Sequence, residues 1–138
     1  VTINEKEYTP SEGEKAILSI SGLLENYSYD CYLFDEVERG LGNKYISEYL
    51  IPQLKKIREK GKIIVLSTHN ANIAINTLPS QSIYCNYPDK NNYYIGQMYS
   101  NELIGIENKE MKIWEEQALI HLEGSEKMFS QRRNIYGI

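Results

Sequence analysis

Two short apolar runs, Cys31-Tyr32-Leu33-Phe34 and Ile63-Ile64-Val65-Leu66, each end abruptly on polar residues: Asp35-Glu36 after the first and Ser67-Thr68-His69 after the second. Runs of this length and β-branched or aromatic content are strand-sized and far short of the ~20 residues a membrane helix needs. Between them a loop, Gly40-Leu41-Gly42-Asn43, leads into residues 44–60, where Tyr45, Ile46, Tyr49, Leu50, Leu54 and Ile57 mark one helical face and Gly61 stops the helix. Two strands that are apolar throughout, joined by a crossover helix, make a right-handed βαβ unit with both strands buried in a parallel sheet. Ligands of such sheets collect at the carboxyl ends of the strands. Asp35-Glu36 and Thr68-His69 are therefore expected on the same edge.

The remaining elements fit an α/β class. Residues 1–10 suit an entering strand edge or loop, and a helix starting near Ser11 or Glu12 carries Ile17, Leu18, Ile20, Leu23 and Leu24 before the turn-forming stretch 26–30. Pro52 falls inside the crossover helix and predicts a kink or break there. Asn70 can cap a short helix to about Ile75, and 82–86 and 93–99 read as strands joined by the turn Pro88-Asp89-Lys90-Asn91-Asn92. The last third reads as helix over 109–122, with a break at Gly124 and Ser125 capping a helix to Asn134, so that 107–138 forms a helical carboxyl-terminal extension. A length of 138 residues, 41% of them apolar, suits a single domain with one core.

Cys31 and Cys85 lie far apart inside apolar stretches without C-x-x-C spacing, which reads as two buried free thiols in a reducing compartment. With no basic-then-apolar leader and no spanning run, the chain is expected to be soluble, cytoplasmic and without a membrane partner. A net charge of −4 leaves no nucleic-acid footprint on the segment as a whole. Lys55-Lys56 with Arg58 and Lys60, and Arg132-Arg133, read as solvated helix faces, so any DNA partner would be held by other parts of the parent protein.

Cleaving a phosphoanhydride takes a divalent cation, a group that positions water and donors to the transferred phosphoryl group. Asp35, at the mouth of an apolar strand, can hold Mg²⁺ through its water shell, and Glu36 can polarise the attacking water; alone, the pair also fits an ordinary strand-terminal acidic surface. His69, between strand and capped helix, can lean toward whatever occupies the strand ends, or be a structural histidine; His121, late in a helix, reads as structural or exposed. Ser11-Glu12-Gly13-Glu14-Lys15 places a hydroxyl and a glycine at a helix start, where an anion is welcome. Ser11 with Glu14 three residues later is equally a capping box. No G-x-x-x-x-G-K-[ST] occurs in the 138 residues, so the phosphate-wrapping loop and its lysine are not encoded here.

In this order, Ser11-Glu12-Gly13-Glu14-Lys15, Cys31 to Glu36 and Ser67-Thr68-His69-Asn70 resemble the signature loop, Walker B strand and H-loop of the carboxyl-terminal lobe of ABC-type ATPases, most closely their SMC, RecF and DNA-repair branch. The resemblance covers about residues 8–86. It implies a partial P-loop NTPase fold: a mostly parallel sheet flanked by helices, with the Walker A lobe absent and the chain forming the carboxyl-terminal half of the ATPase domain. It further implies Mg²⁺ support from Asp35, water activation by Glu36, γ-phosphate contact by His69, and ATP contacts from Ser11, Gly13, Glu14, Lys15 and Asn43. ATP would be sandwiched between this lobe and a second ATPase subunit in a head-to-tail dimer, with the missing Walker A lobe as a further partner and with DNA repair, maintenance or defence as the coupled work. Without that lobe, these 138 residues alone are expected to be inactive. Leu41-Gly42-Asn43 departs from the Leu-Asp that usually ends the D-loop. The tail from His121 to Gly137 is similar to the end of TrlF-type proteins, in which such an ATPase follows a PHP phosphoesterase domain. Two alternatives stand beside this reading: a metal-dependent nuclease or phosphoesterase using Asp35, Glu36, Glu38 and His69, and a non-catalytic interaction module.

Overall fold

The computed structural model describes residues 2–3, 6–7, 9–86 and 93–136, and the turn expected at Pro88 to Asn92 lies outside the described residues. The chain divides into two compact units, Val1–Thr68 and His69–Ile138.

In the first unit β1 (Thr2–Ile3) and β2 (Lys6–Glu7) form a small antiparallel pair. Ser11 caps α1 (Glu12–Leu24), its hydroxyl accepting the Glu14 N–H at 3.2 Å. β3 (Cys31–Asp35) and β4 (Ile63–Ser67) then pair in parallel, from Cys31 opposite Ile63 to Asp35 opposite Ser67. Their crossover is α2 (Asn43–Tyr45), a π-helical turn (Ile46–Leu50) and α3 (Ile51–Glu59). Pro52 brings no N–H, and its ring would strike the carbonyl four residues back in a tight helix. The chain widens by one residue there, with the Ile51 N–H reaching the Ile46 carbonyl, so the helix continues through the proline without a break.

The core of this unit is Leu24, Tyr32, Phe34, Ile46, Leu50, Leu54 and Ile57. Buried Gln53 closes the end of α1: its amide donates to the Leu24 carbonyl at 3.0 Å and to the Tyr27 hydroxyl at 2.7 Å. The two strands are not buried on both faces as the apolar runs predict. Tyr32 and Phe34 point into the core, but Leu33 is 75% exposed, Ile63 62% and Val65 54%. The helices cover only one face of a two-stranded sheet, which leaves every second residue in water. Cys31 lies on that uncovered row and is exposed, contrary to the buried thiol expected of it.

The second unit begins with α4 (Ala71–Asn76), followed by β5 (Ser82–Cys85), β6 (Tyr93–Gln97), β7 (Glu102–Gly105) and β8 (Met111–Ile113), an antiparallel meander in the order β5-β6-β7-β8. It ends in α5 (Trp114–His121) and α6 (Ser125–Tyr136). Tyr94 and Leu103 pack against Ala71, Ile75, Trp114 and Ala118, with Tyr84, Met98, Leu122, Met128 and Phe129 around them. On the opposite face Ile83, Ile95, Ile104 and Met111 stand directly abreast across the four strands, and all but Ile95 are exposed. Cys85, beside Tyr93, is exposed too, which corrects the second thiol.

Two expectations about architecture are overturned. Among the described residues the mostly parallel sheet of a P-loop NTPase is not formed: β3 and β4 make a two-stranded parallel sheet, and β5 to β8 make a separate four-stranded antiparallel one. The reason is connection length, since the links 98–101 and 106–110 are too short for a crossover of a dozen or more residues and permit only hairpins. Residues 111–113, read as helix, form edge strand β8 against β7. Lys109, at φ +56°, turns the chain into that strand, and the alternation of Met111 and Ile113 precedes the change to helix at Trp114. No helix among the described residues is long and apolar enough to cross a membrane.

Candidate functional site

The carboxyl ends of β3 and β4 bring Asp35, Glu36 and Glu38 together with Ser67 and Thr68. Equal strand lengths in parallel register put Asp35 beside Ser67. The Ser67 hydroxyl donates to the Asp35 carboxylate at 2.5 Å and accepts the Glu36 N–H at 3.1 Å, while the same N–H also reaches the Ser67 carbonyl at 3.2 Å. One serine thus fixes the carboxylate of Asp35 and the main chain of Glu36 together. Both lie toward solvent rather than in the core, so the carboxylates remain accessible to a charged ligand.

Glu36 has φ +46°, a left-handed conformation that costs an L-residue about 1–2 kcal/mol because Cβ crowds its own carbonyl. In a regular strand Glu36 would simply point opposite to Asp35. The left-handed step instead ends β3 and starts a tight turn, in which Arg39 N–H reaches the Glu36 carbonyl at 3.0 Å and Leu41 N–H the Glu38 carbonyl at 2.9 Å. The Arg39 guanidinium stands 4.0 Å from the Glu36 carboxylate, a weak and solvated pair. Strained non-glycine backbone of this kind concentrates at sites where side-chain direction matters.

Glu38 follows on the same turn. One of its oxygens accepts from the Thr68 hydroxyl, and the other is enclosed without a hydrogen-bond partner. Among the described residues no group of three or more His, Cys, Asp and Glu side chains converges as a metal cage. A Mg²⁺ ion needs no such cage, since it keeps most of its waters and takes one or two carboxylates plus substrate phosphates. Asp35, accessible and oriented by Ser67, fits that demand.

The first turn of α1 adjoins this turn. A Cβ on Gly13 would lie 3.2 Å from the Gly40 carbonyl oxygen, so the glycine admits the loop that follows Glu36 to Arg39. Gly13 therefore has a structural use besides the anion approach expected of it. Ser11 is engaged in the cap, also donating to a Glu14 carboxylate oxygen at 3.2 Å, and Lys15 pairs with Glu12 at 3.4 Å. Ser11, Glu14 and Lys15 are all exposed. Asn43 is the exposed first residue of α2.

His69 belongs to the second unit, where it is exposed and its carbonyl accepts the Glu123 N–H at 2.9 Å. The structure thus brings Asp35 and Glu36 together, sets Gly13 against the loop behind them and assigns His69 to the other unit. His121, expected to be structural or exposed, is exposed and meets the Tyr84 hydroxyl at 2.7 Å. Sequence reasoning gave Ser67 no role. Its signal was the equal spacing of the two runs: strands of the same length in parallel register set the residue after Leu66 opposite Asp35.

Comparison of the chain with family models, with curated proteins and with solved structures gives no match.

Proposed function

We propose that the chain is the signature and Walker B part of an ATP-binding and hydrolysing switch of the ABC type, SMC and RecF-like branch. The observation that carries this reading is Glu36: a strained, left-handed carboxylate residue next to Asp35, both tied to Ser67 at the ends of two parallel strands. Support also comes from the ordered series Ser11 to Lys15, Asp35-Glu36 and Ser67-Thr68-His69. The phosphate-wrapping loop and its lysine are then supplied by polypeptide outside these residues, and ATP is enclosed with a second ATPase subunit. DNA repair, maintenance or defence is the coupled work, with DNA held by other domains.

Asp35 would hold Mg²⁺, and the bound ion would neutralise charge on the phosphates. The Ser67 hydroxyl keeps the Asp35 carboxylate in one orientation, which spares the ordering cost when the nucleotide arrives. Glu36, whose left-handed main chain ends β3 and opens the turn behind it, would accept a hydrogen bond from the attacking water and polarise it toward the γ-phosphorus, while Asp35 serves the ion. His69 would donate to the γ-phosphate, Ser11 and Gly13 would touch the γ-phosphate of a nucleotide held by the second subunit, and Glu14, Lys15 and Asn43 would be further ATP contacts.

The test is the ATPase rate of the intact protein beside a Glu36→Gln variant, with and without DNA. The expected result is a loss of roughly 100-fold or more in hydrolysis, with nucleotide binding and ATP-dependent dimerisation retained. Hydrolysis at the wild-type rate in the variant, or no nucleotide binding by the intact protein, would refute the proposal.

A further inference from the structure

The main chain of His69 is held by a segment more than fifty residues away in sequence. Glu123 donates its N–H to the His69 carbonyl at 2.9 Å and accepts the Ala71 N–H on its own carbonyl at 3.1 Å, forming an isolated parallel bridge with Asn70. The two bonds grip the residues on either side of Asn70. Asn70 in turn caps α4, its side chain accepting the Ile73 N–H at 3.2 Å. The stretch from His69 to the first turn of α4 is therefore fixed at consecutive peptides.

Glu123 occupies the junction of α5 and α6, and that junction is itself well anchored. The Leu122 N–H ends α5 on the Ala118 carbonyl at 2.9 Å; Gly124 turns the chain at φ +78°; Ser125, which starts α6, is 4% exposed. Leu122, Met128 and Phe129 pack on the core that contains Ala71 and Ile75, and the Asn76 amide reaches the Met128 sulfur at 3.5 Å. The Glu123 side chain is exposed, so what the site uses is its peptide group.

We infer that the main chain of Glu123 is a positioning element for His69, so that the α5–α6 junction sets where the histidine is presented. This rests on the reading of His69 as a γ-phosphate contact. It makes the carboxyl-terminal helices a part of the ATPase machinery: any displacement of α6 is passed through two hydrogen bonds to the peptide of His69.

A pair of variants separates peptide from side chain. Glu123→Pro deletes the donor, and Leu122 already has the extended φ −99°, ψ 129° that a residue before proline requires. Glu123→Ala keeps the donor and removes only the carboxylate. In the intact protein, Glu123→Pro is expected to lower kcat for ATP by roughly ten- to a hundredfold with KM changed by less than about twofold, as for loss of an interaction made only in the transition state. Glu123→Ala stays near wild type. Added to His69→Ala, Glu123→Pro brings no further loss, since two residues acting as one unit are not additive. By NMR, the His69 ring resonances shift in Glu123→Pro and not in Glu123→Ala, and the Glu123 amide is protected from exchange wherever it is present. If Glu123→Pro does not fold, Gly124→Ala replaces it: the site is open around a Cβ, and the positive φ alone strains the junction for an L-residue.

Wild-type kcat in the proline variant, with His69→Ala inactive, would overturn the positioning role and leave the ATPase reading intact. An equal loss in the His69→Ala background would mark general damage and overturn it as well. A silent His69→Ala would remove the assigned role of His69, and the positioning role with it.

Discussion

Replacing Glu36 by glycine and by alanine turns the backbone strain at the site into a measurable sign. At an ordinary position glycine is less stable than alanine by about 0.5–1 kcal/mol, because the unfolded chain gains freedom. At φ +46° the order reverses: alanine retains the Cβ that crowds its own carbonyl, and glycine is released from a cost of about 1–2 kcal/mol. The net difference is about 0.5–1 kcal/mol in favour of glycine. Loss of the Arg39 pair is common to both variants and small at 4.0 Å in solvent. With a urea m-value of about 1–3 kcal/mol/M, the glycine variant should unfold at a midpoint higher than the alanine variant by roughly 0.2–1 M. The assay is residue-resolved amide exchange of the first unit across a urea series, because Trp114 lies in the second and its fluorescence reports on the wrong core. Neither variant should hydrolyse ATP, so glycine combines a gain in stability with a loss of activity. An alanine variant more stable than the glycine variant by 0.5 kcal/mol or more would refute the left-handed backbone, and with it the observation on which the proposed function stands.

Two further measurements check other features. Tyr49 is pushed up to about 12, first by burial and then by its hydrogen bond to the Glu25 carboxylate at 2.9 Å. A raised folded value means that the contribution of Tyr49 is complete below pH 10 and is lost as pH climbs from 10 to 12; Tyr49→Phe should flatten that part of the stability profile, followed by phenolate absorbance and urea midpoints. Cys31 and Cys85, both exposed, should react stoichiometrically with a thiol reagent in the native state, two equivalents without denaturant; unreactive thiols would restore the buried assignment.

How much of this was legible depended on whether a signal was local. The βαβ unit was readable because Cys31 to Phe34 and Ile63 to Leu66 are separated by a helix long enough to cross over, and the cap at Ser11 because a hydroxyl precedes Glu14 by one helical turn. What an unbroken apolar run could not tell is how many faces get covered: Leu33 and Val65 are as apolar as Phe34, and only the placement of helices decides which row is wet. Residues 109–113 were misread since Met111, Ile113 and Trp114 satisfy a helical spacing as well as an alternating one over so short a stretch. The left-handed Glu36 left no trace in sequence, because glutamate has no preference for that region and the conformation is imposed by Ser67 and the turn through Arg39. The Glu123 bridge to His69 was hidden for a related reason: it is made by peptides, whose partners carry no residue code.

The two sheets differ in when they can come into being. Each strand of β5-β6-β7-β8 pairs with its neighbour in sequence, so every hairpin needs only a short loop to close and can form in microseconds. β3 and β4 have no such shortcut: the first rung, Cys31 with Ile63, must wait for the whole crossover, and the entropy of closing that loop is spent before any pairing returns it. During synthesis Ile63 emerges from the ribosome only after the whole crossover has followed Phe34 out, so Cys31 to Phe34 stays an unpaired apolar strand until then. The nascent chain is most in need of a chaperone in that interval, and a slow codon run downstream of Ile63, read while the crossover is emerging, would prolong it.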